Sequence, residues 1–148
     1  TVSKEWIGRD ATQLLEAIGA HPRRDVRLVL AEVDAEHPLV WTEQLTPVLP
    51  LVRVRTVEEG MDLAIAVEKG NRHTATMHSH DVTRLSRMAR RIDCSIFVKN
   101  GPAYAGLGMG GEGYTSFTIA GATGEGMTTA RHFCRARRCA LVGAFRIV

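Results

Sequence analysis

Short runs that are apolar on both faces alternate along this chain with helical stripes that carry their own caps. VRLVLAEV (26–33) and CSIFVKN (94–100) read as buried strands, because a strand covered on both sides has no polar face to present. VLPLVRVR (48–55) reads as another strand, with Pro50 confined to its start or to a sheet edge because it lacks an N–H. TATMHS (74–79) is a fourth, shorter one. Asp10 with Gln13, and Thr56 with Glu59, have the spacing of capping boxes. Leu14, Leu15 and Ile18 follow the first box at helical spacing, and Val57, Met61, Ala64 and Ile65 follow the second. Asp81 caps a third stripe of Val82, Leu85, Met88, Ala89 and Ile92. Gly19 and Gly70 stand where the first two helices must stop. The order helix, strand, strand, helix, strand, helix, strand predicts an α/β fold: a mainly parallel sheet with flanking helices.

At 148 residues the chain has the length of one domain, large enough to bury a core. Its 45% hydrophobic and 24% charged residues exclude a disordered chain. No apolar run has the length of a membrane span, and no secretory leader is visible. The chain begins at Thr1 without an initiator Met, which reads as a piece of something longer. Cys94, Cys134 and Cys139 show no CxxC spacing, which argues against a disulfide framework or structural zinc and fits a reducing compartment. RHFCRARRC (131–139) is the most basic segment; it reads as a solvated face, with a phosphate- or nucleic-acid-contacting patch as the alternative. No aromatic platform alternates with its arginines, as single-stranded nucleic acid would require.

Nine of the fourteen glycines lie between Gly101 and Gly126, within GPAYAGLGMGGEGYTSFTIAGATGEGMTTA. So much permissive backbone costs entropy. It implies either repeated sharp turns or close passage by a ligand, a catalytic group or a neighbouring strand. Gly106, Gly108 and Gly111 satisfy GxGxxG, but seven residues separate them from the strand end near Val98 and the following EGYTSFTIA reads as a strand. The context of a dinucleotide fingerprint is therefore missing. GATGEGMTT has no Lys and is not a Walker loop. His78 and His80 read as solvent-side histidines at a strand-to-helix turn, since zinc needs a third ligand that has no evident spacing here. His73, at a strand start, reads as a structural hydrogen-bonding residue. Cys94 reads as inert packing; Cys134 and Cys139 sit among arginines but lack the His and oxyanion donors of acyl chemistry. TSFTIA reads as a strand, and CALVGAFRIV (139–148) as one or two closing strands about Gly143. Taken alone, these residues make an α/β piece without a complete active site.

Several stretches together resemble one family: VLAEVDAEHPLV, TEQLTPVLPLVRV, GNRHTATMHSHDV, IFVKNGPAYAGLGMGGEGYTSFTI, TGEGMTTAR and RRCALVGAFRIV. They are similar to the C-terminal third of the CoA-acylating aldehyde dehydrogenases of the ethanolamine- and propanediol-utilisation type. The resemblance covers nearly the whole chain and implies an enzyme that oxidises a short aldehyde with NAD. In that family the route runs through a cysteine thioester, and coenzyme A then takes the acyl group. It places the nucleophilic cysteine and most of the NAD-binding elements upstream, so no catalytic residue and no metal ligand is assigned here. TEQLTPV resembles the superfamily's EEIFGPV, which carries the nicotinamide-ribose carboxylate onto Glu43 and ring packing onto Leu45. The glycine tract would fold over the mouth of the aldehyde tunnel, or pack as a crossover against a partner subunit. Thr118, Ile119 and Ala120 become the acyl-pocket candidates. The resemblance further divides the chain into catalytic-domain residues 1–135 and a strand-forming oligomer tail, 136–148. It implies a homo-oligomer, aldehyde and CoA as partners, neither nucleic acid nor membrane, and a cytoplasmic or microcompartment-lumen setting with shell association. The isolated chain is expected to be inactive and to self-associate, and a non-catalytic assembly module of the same fold is the alternative.

Overall fold

Residues 3–111, 129–140 and 142–143 are described by the computed structural model, and the chain divides into two units, Thr1–Lys69 and Gly70–Val148. No composition shift announces a boundary at Lys69. In the first unit a 3₁₀ turn (Lys4–Trp6) leads into α1 (Ala11–Ala17), β1 (Val29–Glu32), α2 (Pro38–Trp41), β2 (Val48–Leu51) and α3 (Val57–Glu68). β1 and β2 pair in parallel, with Val29 opposite Val48 and Glu32 opposite Leu51.

The caps behave as their chemistry requires. Asp10 accepts the Gln13 N–H at 2.9 Å, and Thr56 Oγ1 accepts the Glu59 N–H at 3.1 Å. The returning half of the second box goes elsewhere: Glu59 Oε2 accepts from the Arg55 N–H at 3.1 Å. Gly19 lies in the left-handed region (φ 80°) just past α1, and the N–H groups of Gly19 and Ala20 close its last carbonyls.

Pro50 sits inside β2, opposite Ala31. The Val29 N–H donates to the Pro47 carbonyl and the Val33 N–H to the Leu51 carbonyl. That phase points the backbone nitrogen of Pro50 away from β1, so the missing donor costs no ladder bond. The edge position expected of Pro50 is the one β2 occupies in this pair.

Burial departs from the sequence reading in one respect. β1 was expected to be covered on both faces, yet it alternates half-buried with exposed, as β2 does. Leu30 is 63% exposed, and Leu28, Leu49 and Leu51 are exposed with it. A strand's composition reports only that both faces want cover; here the face bearing Val29, Ala31 and Val48 borders the hollow it shares with Leu14, Leu15 and Leu39, and the other face is exposed. Ile18, placed on the α1 stripe, is likewise exposed at the C-cap, and Ala64 stands on the outer face of α3. Across the strand ends, Arg53 grips Glu32 with two bonds of 2.6 and 3.0 Å, which raises the guanidinium pKa above its ordinary value. Both groups are exposed, so the pair adds little stability.

The second unit holds β3 (Thr74–Met77), α4 (Val82–Ile92), β4 (Ile96–Lys99) and 3₁₀ turns at Ala103–Leu107 and Ala130–Phe133. β3 and β4 are parallel, with Thr74 opposite Ile96. The parallel sheet of the sequence reading is thus present as two pairs among the described residues, one in each unit. Leu85, Met88 and Ile92 of α4 are buried with Ile96 and Val98 of β4. Val82, expected on that stripe, is the first residue of α4 and is exposed.

Asp81 caps α4 by accepting the Arg84 N–H at 3.0 Å. Asp81→Ala is therefore expected to cost about 1 kcal/mol, read as a lower urea midpoint with an unchanged slope. Past β4, Asn100 clamps the carboxyl ends of both strands. Its Oδ1 accepts the Ser79 N–H at 2.7 Å and its Nδ2 donates to the Ser79 carbonyl at 3.0 Å.

The described part of the glycine tract answers one question directly. Gly106 lies within the Ala103–Leu107 turn, where an added Cβ would meet Ile96 Cγ2 at 2.1 Å and Val98 Cγ2 at 3.1 Å. At that position the close neighbour is strand β4. It is not the strand-to-helix turn a dinucleotide fingerprint needs.

Candidate functional site

A four-residue helix is too short to satisfy its own ends, and the candidate site grows from that deficit. α2 starts where HP demands: His37 Nδ1 accepts the Leu39 N–H at 3.2 Å and Pro38 takes the first helical position. Its carbonyls then need donors. Gln44 Nε2 donates to the Leu39 carbonyl at 2.6 Å, and Lys69 Nζ donates to the Trp41 carbonyl. Trp41 Nε1 ties the approach to the helix by donating to the Ala35 carbonyl at 2.6 Å.

These bonds fix the loop that joins α2 to β2. Along it, Glu43 and Leu45 are exposed while Gln44 and Thr46 are half-buried. Leu45 adopts φ 50°, a left-handed conformation unusual for a branched side chain, and its carbonyl accepts the Gly8 N–H at 3.1 Å. The loop thus presents a carboxylate and a 63% exposed leucine outward. On its other side an apolar hollow is lined by Trp6, Leu14, Leu15, Val29 and Leu39, together with Gln44.

Glu43 and Leu45 therefore lie together on one pinned loop. Thr118, Ile119 and Ala120 lie outside the described residues, as does all of the closing segment after Gly143. His78 and His80 are exposed beyond β3, and the His73 carbonyl accepts the Ile96 N–H at 3.0 Å. Cys94 is half-buried, with its Sγ–H donating to the Ile96 carbonyl at 2.9 Å; Cys134 and Cys139 are exposed. Arg135, Arg137 and Arg138 are exposed on a stretch without regular secondary structure. Among the described residues no group of three or more His, Cys, Asp or Glu could hold a metal ion, and no helix is long and apolar enough to cross a membrane. Gln44 escaped the sequence reading. The signal was there in principle: a polar side chain three residues beyond a helix too short to pair its own carbonyls.

Residues 27–134, from β1 through the last described 3₁₀ turn, match the aldehyde dehydrogenase family. The chain belongs to that family. The acetylating acetaldehyde dehydrogenase EutE of Salmonella typhimurium is 55% identical over all 148 residues, which span 32% of that relative. Among solved structures, Rhodopseudomonas palustris propionaldehyde dehydrogenase with bound propionyl-CoA superposes with a TM-score of 0.84 at 54% identity. That match covers 94% of this chain and 31% of the other. A propionaldehyde dehydrogenase from the Clostridium phytofermentans fucose-utilisation bacterial microcompartment gives 0.83 at 42% identity, over 94% of this chain and 32% of that one. The chain spans about a third of the length of these aldehyde dehydrogenases.

Proposed function

We propose that this chain is the C-terminal portion of an NAD-dependent, CoA-acylating aldehyde dehydrogenase that converts a short aldehyde, CoA and NAD⁺ into acyl-CoA, NADH and a proton. The observation that carries the reading is an end-to-end match, at 55% identity, to an acetylating acetaldehyde dehydrogenase. The α2–β2 loop adds support. A ribose offers two hydroxyls to an acceptor and a nicotinamide ring offers an apolar face, and Glu43 and Leu45 present those two chemistries side by side. The residues fit the group.

In this reading Glu43 accepts hydrogen bonds from the ribose hydroxyls and Leu45 packs against the ring, which fixes the cofactor's orientation. The bound nicotinamide supplies the hydride acceptor. Thr118, Ile119 and Ala120 shape the pocket for a two- or three-carbon acyl group. The nucleophilic cysteine belongs to polypeptide outside this chain. Residues 1–135 serve the catalytic domain and 136–148 the contacts of a homo-oligomer. The setting is cytoplasmic, in or against a microcompartment, as the Clostridium relative's origin supports.

A non-catalytic assembly module is the second reading, favoured by the exposed Leu30, Leu49 and Leu51. One assay separates them. The full-length protein carrying this segment is expected to produce NADH from acetaldehyde or propionaldehyde only when CoA is added, while the 148-residue chain alone produces none. Oligomerisation without NAD or CoA binding would favour the module.

A further inference from the structure

Gln44 is half-buried, yet its Oε1 is shielded from solvent and accepts no hydrogen bond among the described residues. A buried acceptor without a donor is costly, and an apolar side chain of the same size would avoid that cost. The other end of the amide accounts for its presence: Nε2 donates to the Leu39 carbonyl at 2.6 Å, closing an α2 end that the short helix leaves open. The same residue stands between Glu43 and Leu45, which are exposed while it is half-buried. Gln44 is thus the one of the three that ties the loop inward. A second pin, the Gly8 N–H to the Leu45 carbonyl at 3.1 Å, holds the loop just beyond, where Leu45 bears φ 50°. Two attachments bracket the turn, and only one of them comes from a side chain.

We infer that Gln44 is the positioning residue for cofactor binding: its amide, fastened to the Leu39 carbonyl, holds the α2–β2 loop in the conformation that presents Glu43. The inference rests on the proposed role of Glu43 in gripping the ribose. Gln44 itself touches neither cofactor nor substrate.

The test uses the full-length protein carrying this segment, with steady-state KM for NAD, aldehyde and CoA measured separately. Gln44→Met keeps the length and removes the amide. Gln44→Glu keeps the shape but sets a carboxylate against the Leu39 carbonyl, so it serves should the first variant fail to fold. Either variant is expected to raise KM for NAD by about five- to tenfold, the loss of one hydrogen bond passed on to the loop, and to leave KM for aldehyde within about twofold. In the Glu43→Ala background the Gln44 substitution should add nothing, because the group it positions is gone. An equal rise in both backgrounds makes Gln44 a general structural residue and overturns the inference. So does an unchanged KM for NAD in the Gln44 variants while Glu43→Ala still raises it. If Glu43→Ala leaves KM for NAD unchanged, the ribose reading itself fails, and the inference goes with it.

Discussion

Replacing Gly106 with alanine is expected to lower the stability of this protein by about 1–3 kcal/mol, the usual cost of forcing extra carbon into a packed site. The new methyl would sit 2.1 Å from Ile96 Cγ2, far inside contact distance, and Val98 closes the other side at 3.1 Å. Neither neighbour can swing aside, because Ile96 and Val98 are 5% and 8% exposed and are fixed in β4. The 3₁₀ turn must lift off the strand instead, and that lift is what the urea midpoint would register. Trimming the obstacle gives a sharper check. In an Ile96→Ala background the same substitution should cost much less than in the parent, because the cavity left by one change accepts the methyl of the other. Equal costs in the two backgrounds would mean that the turn does not pack on β4 as described.

Removing the carboxylate of Glu43 carries the largest expected effect on catalysis. A hydrogen bond to a charged group contributes about 1.5–3 kcal/mol, and each 1.4 kcal/mol is a factor of ten. Glu43→Ala in the full-length protein is therefore expected to reduce kcat/KM for NAD by about ten- to a hundredfold. Because Glu43 is exposed and pairs with no described cation, the fold should be untouched, with the thermal midpoint unmoved. Glu43→Gln, which keeps an acceptor oxygen without its charge, should fall between parent and alanine. Parent-like kinetics in both variants would make Glu43 a plain surface acid.

What the sequence made legible follows the range of the interactions involved. Asp10, Thr56 and Asp81 cap helices through N–H groups three residues away, so their roles are written locally and the structure bears them out. The four strands were recognisable from β-branched and aliphatic runs, although each ladder is shorter than its apolar run: β1 keeps only Val29–Glu32 of a run that starts at Val26. Burial was less legible. Leu30 and Val98 look alike in a sequence, yet one is exposed and the other buried, because cover comes from elements distant in the chain. Gly106 posed the same problem in reverse. The tract announced a close approach without saying to what, and only the register of the 3₁₀ turn on β4 settles it for that residue. At the candidate site, Glu43 and Leu45 came from the family likeness. Gln44 depended on a hydrogen bond to a helix four residues long, which no periodicity reveals.

Both ladders join strands that are neighbours along the chain, Val29 with Val48 and Thr74 with Ile96. Parallel pairing is ordinarily slow to assemble, because a long connection must be closed before any ladder bond forms. Here the connections are residues 33–47 and 78–95, each shorter than about twenty residues and each holding a helix, α2 or α4, so the entropic penalty of closure stays near its lower limit. During synthesis each pair can therefore zip as soon as its own stretch of chain has emerged, before the residues that follow it are made.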